Sequence, residues 1–261
     1  MNIIVCIKQV PAITEVKIDP QTNTLVREGV EGIINPFDTY AIEEGLRLKE
    51  RLGGKVTAIS MGPPQAAESL REAAALGVNE AFLLSDRAFA GADTLATSYT
   101  LACAIAKIKE FDLIICGKQT MDGDTGQVGA SIAERLGLPF VAYVSKILEI
   151  RPNYLKAQRL IEEGYEVVEI KLPGVISVVK EINEPRLPSL RGMMRAKKME
   201  IPVWTANDIN VHPDRVGLRG SPTQVVKIFT PTRFKKGEII SGEPEEQAAV
   251  LMDKLRSQQI I

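Results

Sequence analysis

The sequence predicts an α/β fold: a doubly wound parallel sheet with a small antiparallel addition and an extended C-terminal arm. Three observations lead there. From residue 1 to about 150, short apolar runs alternate with stretches of helical period in the order β-α-β-α-β-α-β-α-β. The connecting segments are long enough for the crossovers that parallel pairing needs. The runs themselves, such as Leu113-Ile-Ile-Cys116, are apolar throughout, as strands covered on both faces are.

The elements follow in order. Residues 2–7 form a first, central strand, ended by Lys8-Gln-Val-Pro11. Residues 16–18 and 24–26 form either a small hairpin or an irregular excursion. Asn35-Pro-Phe-Asp38 is a turn, with Asp38 as N-cap of a helix over 39–52 that ends at Gly53-Gly54. A second strand, 56–60, leads through Met61-Gly-Pro-Pro64 into a helix over 66–76, closed by Gly77. Residues 81–84 are the third strand. Gly91-Ala-Asp-Thr-Leu-Ala-Thr97 opens a helix to about Lys109, capped by Asp93 or Thr94. Residues 112–116 are the fourth strand, and 141–148 continue the sheet.

From Tyr154 the pattern changes. Residues 154–160, 166–171 and 175–179 read as the antiparallel addition, with Glu162-Glu-Gly-Tyr165 as a turn. Residues 191–198 form a short basic helix that leaves Leu190, Met193 and Met194 either packed inward or exposed to a partner. The stretch 202–243 is rich in Pro, Gly and polar residues and reads as an arm, followed by an amphipathic helix over 245–258. The division is therefore a nucleotide-binding α/β domain over 1–203 and a C-terminal arm and helix over 204–261.

Composition narrows the function classes. The 261 residues carry 32 Lys and Arg against 33 Asp and Glu, so no global charge draws the chain to nucleic acid or an anionic membrane. No apolar run approaches a membrane span, and the N-terminus lacks the marks of a signal peptide. Cys6, Cys103 and Cys116 lie in apolar segments and read as reduced thiols of a cytoplasmic protein, with no metal-ligand spacing. His212 is the only histidine, which excludes any site needing two.

The stretch between the fourth strand and the following helix carries the chemistry. Gly117, Gly123, Gly126 and Gly129 allow close backbone approach, and Asp124 with Gln127 three residues on has the form of a capping box. A strand feeding a glycine-rich helix start is a phosphate site in waiting, because free N–H groups and the helix dipole favour an anion. The loop has neither Walker spacing nor a G-x-G-x-x-G, and Asp122 and Asp124 repel phosphate unless they cap backbone or bind ribose hydroxyls. Spacing alone leaves a nucleotide site and a plain βα turn both open.

The stretch 157–177, Ala-Gln-Arg-Leu-Ile-Glu-Glu-Gly-Tyr-Glu-Val-Val-Glu-Ile-Lys-Leu-Pro-Gly-Val-Ile-Ser, resembles the signature of the electron transfer flavoprotein beta subunit. Cys6-Ile-Lys-Gln-Val-Pro11, Asn35-Pro-Phe-Asp38, Met61-Gly-Pro63 and the Gly-Lys-Gln-x-x-Asp-Gly-Asp loop are similar to the same family, so the resemblance spans nearly the whole chain. It implies an adenine-nucleotide-binding fold and a heterodimer with a larger alpha subunit. By matching motif, the implied pocket holds Cys6, Asn35, Pro36, Phe37, Asp38 and Met61. It continues through Gly117, Lys118, Gln119, Asp122, Gly123, Asp124, Thr125, Gly126, Gln127, Val128 and Gly129. The family's docking loop for acyl-CoA dehydrogenases matches residues 190–198, with Leu190 as anchor.

The resemblance leaves AMP or FAD as the bound nucleotide. Flavin-bifurcating members resemble this chain at Asp122-Gly-Asp-Thr-Gly-Gln-Val-Gly129 and at Gly91-Ala-Asp-Thr-Leu-Ala-Thr97, which adds Asp93, Thr94 and Thr97 to the implied pocket. That favours FAD, with AMP as the alternative. The implied activity is hydride acceptance from NADH, with electrons passed to a ferredoxin or flavodoxin and, through the alpha subunit, to an acyl-CoA dehydrogenase or enoyl-CoA reductase. The cofactor carries that chemistry, so no side chain is assigned as acid or base.

Overall fold

Strand β1 (Asn2–Cys6) runs through the interior of the main sheet, with its last four residues buried. The computed structural model describes residues 1–12, 32–226 and 237–261; the hairpin expected at 16–18 and 24–26 lies outside them. β2 (Gln9–Pro11) and β3 (Gly32–Ile34) form a separate antiparallel ribbon, with Gln9 opposite Ile34. Then come α1 (Pro36–Leu52), β4 (Lys55–Met61), α2 (Ala67–Leu76), β5 (Glu80–Leu84), α3 (Thr94–Ile108), β6 (Leu113–Gly117) and α4 (Val128–Leu136). A long β7 (Phe140–Arg151) leads into the hairpin of β8 (Tyr154–Ile161) and β9 (Gly164–Lys171). β10 (Gly174–Val178), α5 (Leu190–Lys198), β11 (Val203–Trp204) and α6 (Pro244–Ser257) follow.

The strand order is β11-β5-β4-β1-β6-β10-β7-β8-β9. All pairs from β11 to β7 are parallel, and β7-β8-β9 are antiparallel. Alternation along each strand makes two cores. Ile3 and Val5 pack with Ile42 and Leu46 of α1 and Leu70 of α2. Ile4 and Cys6 face the other way, onto Leu101 and Ile105 of α3 and Ile132 of α4. Burying an aliphatic side chain of this size contributes about 1.5–3 kcal/mol, so the two layers hold the sheet between helix pairs on both faces.

Three expectations are corrected. Residues 175–179 do not join the antiparallel addition: β10 inserts between β6 and β7 as a parallel strand. All five residues of β10 are buried, and an unbroken apolar run suits a strand covered on both faces, not a half-solvated hairpin. Asp38 does not cap α1. Pro36 takes the first helical position, where its missing N–H costs nothing, so the helix starts earlier and Asp38 falls inside the first turn. Residues 204–226, read as arm, lie within a compact unit spanning Met1–Val226, and Lys227–Ile261 makes a second unit. β11 brings Trp204 onto Phe82 with ring centroids 4.2 Å apart, and Ile209 and Val216 are buried beyond it.

The second unit contains α6, which has no buried residue; Val250, Leu251 and Met252 are exposed. Among the described residues no helix is long and apolar enough to cross a membrane. Nor do they include a group of three or more His, Cys, Asp or Glu side chains that could hold a metal ion.

Candidate functional site

The chain leaves β1 toward β4 on one side, then crosses back to β6 on the other. Between β1 and β6 the winding reverses, and such a switch point opens a crevice at the strand C-termini. Its walls are the segment after Cys6 and the loop from Gly117 to Gln127.

Two side chains at the start of α1 hold those walls. Asn35 is fully buried; its amide donates to Gln119 O at 2.8 Å and accepts from Met121 N at 3.1 Å. The carboxylate of Asp38 accepts the N–H of Lys8 at 2.8 Å and lies close to the N–H of Gly117, so it sits between the ends of β1 and β6. Burial pushes the Asp38 carboxyl up to about 7, although those N–H donors, the Asn35 side chain and the Lys8 charge pull it down. Gly117 is required here: a Cβ would come within 2.3 Å of Asp38 Oδ1 and 2.7 Å of the Phe37 carbonyl carbon. Across the mouth, Lys8 Nζ pairs with Asp122 at 2.6 Å, with both side chains partly exposed.

Asp124 does not cap α4, contrary to the capping-box reading. It stands at φ 51°, donates its N–H to Thr120 O and accepts from the Gln119 side chain. The N-cap position falls to Gln127, whose side chain makes no cap bond. Its Oε1 instead accepts from Thr94 Oγ1 at 3.1 Å, which joins the starts of α3 and α4. The first turn of α4 therefore keeps N–H donors that no side chain accepts, beside Gly126 at φ 63°. Thr125 is exposed in the same loop, while Val128 and Met61 pack partly into the core beneath, and Cys6 is buried there.

Asp93 does cap α3, accepting from Leu95 N at 2.9 Å and Ala96 N at 3.1 Å; Thr97 donates its N–H to the Asp93 carbonyl as an ordinary first-turn bond. The second Asp93 oxygen takes the N–H and hydroxyl of Thr223, while Ser221 Oγ accepts the Asp93 N–H. These donors hold the Asp93 carboxyl below its ordinary range, against a burial effect that raises it.

The sequence reading missed Tyr143. It lies on β7 at φ 60°, where the register with β10 shifts, and donates its N–H to Ser177 Oγ. Its ring sits 5.3 Å from Lys118 Nζ, and its hydroxyl 4.0 Å from where a Gly126 Cβ would be. A tyrosine in a strand carries no mark of its own; the strained backbone that aims it shows only in the fold. A shallow cleft of about 410 Å³ lies elsewhere, on the α3–α4 flank beside Tyr99, Cys103 and Arg135, and contains none of the expected site residues.

The expected docking residues stand apart from the crevice, on α5. Leu190 and Met194 are 77% and 63% exposed and Met193 is 39% exposed, so the methionines do not pack inward. The helix is fixed through its other side: Arg195 donates to Ala74 O at 2.7 Å and Arg71 to Ala196 O at 2.9 Å. The segment before it is pinned to α1, where Arg186 Nε meets Glu43 at 2.7 Å and its other nitrogens reach Glu50. Burial raises the Glu43 carboxyl, but Arg186 and Arg47 together hold it below its ordinary value.

Comparison with known proteins agrees with this architecture. The family model for the electron transfer flavoprotein domain matches residues 22–209. The electron transfer flavoprotein subunit beta of Thermoanaerobacterium thermosaccharolyticum is 51% identical over 262 residues, covering 100% of both chains. The caffeyl-CoA reductase-Etf complex subunit CarD of Acetobacterium woodii is 49% identical, again over 100% of each. Protein FixA of Azotobacter vinelandii is 43% identical over 99% of this chain and 95% of its own. With a family match across most of its length and full-length relatives at half identity, this chain belongs to the electron transfer flavoprotein beta-subunit family.

Proposed function

We propose that this chain is the beta subunit of a flavin-bifurcating electron transfer flavoprotein and holds FAD in the crevice between β1 and β6. The observation that carries the reading is the paired start of α3 and α4. α4 begins without a side-chain cap, and Thr94 and Gln127 hold the two helix starts together. A diphosphate needs several N–H donors and little side-chain bulk, and the loop with Gly123 and Gly126 leading into Gly129 fits both needs. Gly129 packs close to Phe140 and Cys116, so α4 approaches the sheet directly.

FAD bound there would accept hydride from NADH and pass electrons singly, one toward a ferredoxin or flavodoxin and one toward flavin on the alpha subunit. The chain's own residues do the rest. Asn35 and Asp38 hold the loop backbone that would approach the phosphates. Asp122 is neutralised by Lys8, which reduces its repulsion of an anion. Asp124 is turned onto Gln119 and not toward the helix start. Leu190, Met193 and Met194 would meet the acyl-CoA dehydrogenase or enoyl-CoA reductase. The name of the Acetobacterium woodii relative, a subunit of a caffeyl-CoA reductase complex, supports a reductase of that kind.

The test is a cofactor count. The chain is co-expressed with its alpha partner, the purified complex is denatured, and released FAD and AMP are quantified. Two FAD and no AMP per heterodimer is the expected result. One FAD and one AMP would make the crevice a structural AMP site and the protein a one-flavin carrier.

A further inference from the structure

Cys6 and Cys116 are paired in register on the adjacent parallel strands β1 and β6. Strands alternate their faces, so partners at the same level project to the same side. Both residues lie in the core formed with α3 and α4, directly above the pair Ile4 and Ile114. Neighbouring strands run about 4.8 Å apart, inside the roughly 4.4–6.8 Å Cα separation that a disulfide spans. We propose that Cys6 and Cys116 form a cross-strand dithiol that closes to a disulfide under a peroxide oxidant, a modification site at the floor of the crevice. The inference does not depend on which nucleotide the crevice holds.

Position gives the pair its access. Ile4 and Ile114, one step earlier, are 1% and 0% exposed, whereas Cys6 and Cys116 are 8% and 6% exposed. The thiols thus sit where the core meets the mouth. On the loop side Gly129 packs directly against Cys116, a close backbone cover without a side chain. The two thiols also interact: Cys116, then burial, then Asp38 all raise Cys6 well above the ordinary thiol range. Thiolate at Cys6 is therefore scarce at neutral pH, so the link forms slowly and needs peroxide in excess. Cys103, on α3, is half-buried and is not paired with either thiol in the sheet register.

The chemistry balances with peroxide alone. A thiolate attacks one peroxide oxygen; the O–O bond breaks, a sulfenic acid forms and water leaves. The second thiol attacks that sulfur, the S–S bond forms and a second water leaves. The thiols lose two electrons and two protons in all, and the peroxide is reduced to two waters.

The full-length chain, freed of reductant, is treated with hydrogen peroxide, denatured in iodoacetamide, digested without reduction and mapped by mass spectrometry. The expected result is a peptide joining Cys6 to Cys116 and loss of most alkylation at both, with Cys103 still alkylated. Dithiothreitol should return both thiols. Cys116→Ser should abolish the link and leave Cys6 alkylated. Undiminished alkylation of Cys6 and Cys116 after peroxide overturns the proposal, as does separate conversion to sulfinic acids or a link from Cys6 to Cys103.

Discussion

The carboxylate of Asp38 accepts the backbone N–H of Lys8 at 2.8 Å, which fastens helix α1 to the end of the central strand. Burial raises this carboxyl from 3.8 to about 7, so across that interval the folded chain holds a proton that the unfolded chain has released. The resulting stabilisation is full below about pH 4 and is lost as pH rises through about 7. Glu44 and Glu72 are also raised by burial, so the contribution is isolated by difference. The stability advantage of wild type over Asp38→Asn should shrink by roughly 2–4 kcal/mol between pH 4 and 8 in urea melts. Parallel curves would exclude a buried, proton-holding Asp38.

Asn35 serves two partners of the glycine loop at once. Asn35→Ala leaves Gln119 O and Met121 N without it and should cost roughly 2–4 kcal/mol in chemical denaturation. Asn35→Asp can still accept from Met121 but sets a buried carboxylate against the Gln119 carbonyl, so at neutral pH a loss at least as large is expected. With the nucleotide proposed for the crevice, both variants should release it faster on dilution; unchanged release would separate Asn35 from the loop proposed to hold it.

Two glycines of the same loop should respond oppositely to a methyl group. Gly117→Ala drives Cβ into Asp38 and the backbone of Phe37 and should cost more than roughly 3 kcal/mol. Gly123→Ala meets only Thr120 Oγ1, at 3.2 Å, and should cost less than roughly 1 kcal/mol. Thermal unfolding of the pair decides the matter, and equal losses would contradict the close approach at Gly117.

Arg186→Ala removes the main partner of Glu43, whose side chain is only 4% exposed. At pH 7 the loss should be roughly 2–4 kcal/mol, since Arg47 remains. Glu43 is held below its ordinary value, so the stabilisation is present above the unfolded pKa and fades as pH falls. The penalty should therefore diminish in acid. Amide exchange over 183–198 should quicken; an unaltered pattern there would show that the clamp does not position α5.

The parallel order, the switch point and the loops that border it follow from apolar runs and crossover lengths, which depend on local pattern. β10 was legible in principle, because Val175, Ile176, Val178 and Val179 leave no solvated face; nearness to a hairpin pulled the reading toward antiparallel pairing. The position of Asp38 was legible in principle, since Pro36 marks the first helical residue, but that of Asp124 was not. Each has a residue type that suits a cap, but Pro36 moves the helix start in one case, and a positive φ turns the side chain away in the other. Tyr143 and the ties from Asp93 to Ser221 and Thr223 join segments far apart in sequence, and nothing local announces them.

The insertion of β10 between β6 and β7 constrains how the chain comes together. When residues up to 172 have left the ribosome, the hairpin of β8 and β9 is complete, yet the strand that separates β6 from β7 is still absent. Two unpaired edges then face each other across a gap one strand wide, and such edges are templates for pairing with another molecule. A fragment ending before Gly174 should therefore aggregate, whereas one ending after Val178 carries the strand that satisfies both edges. The interior of this sheet is completed late, by a strand arriving from the far side of a finished hairpin.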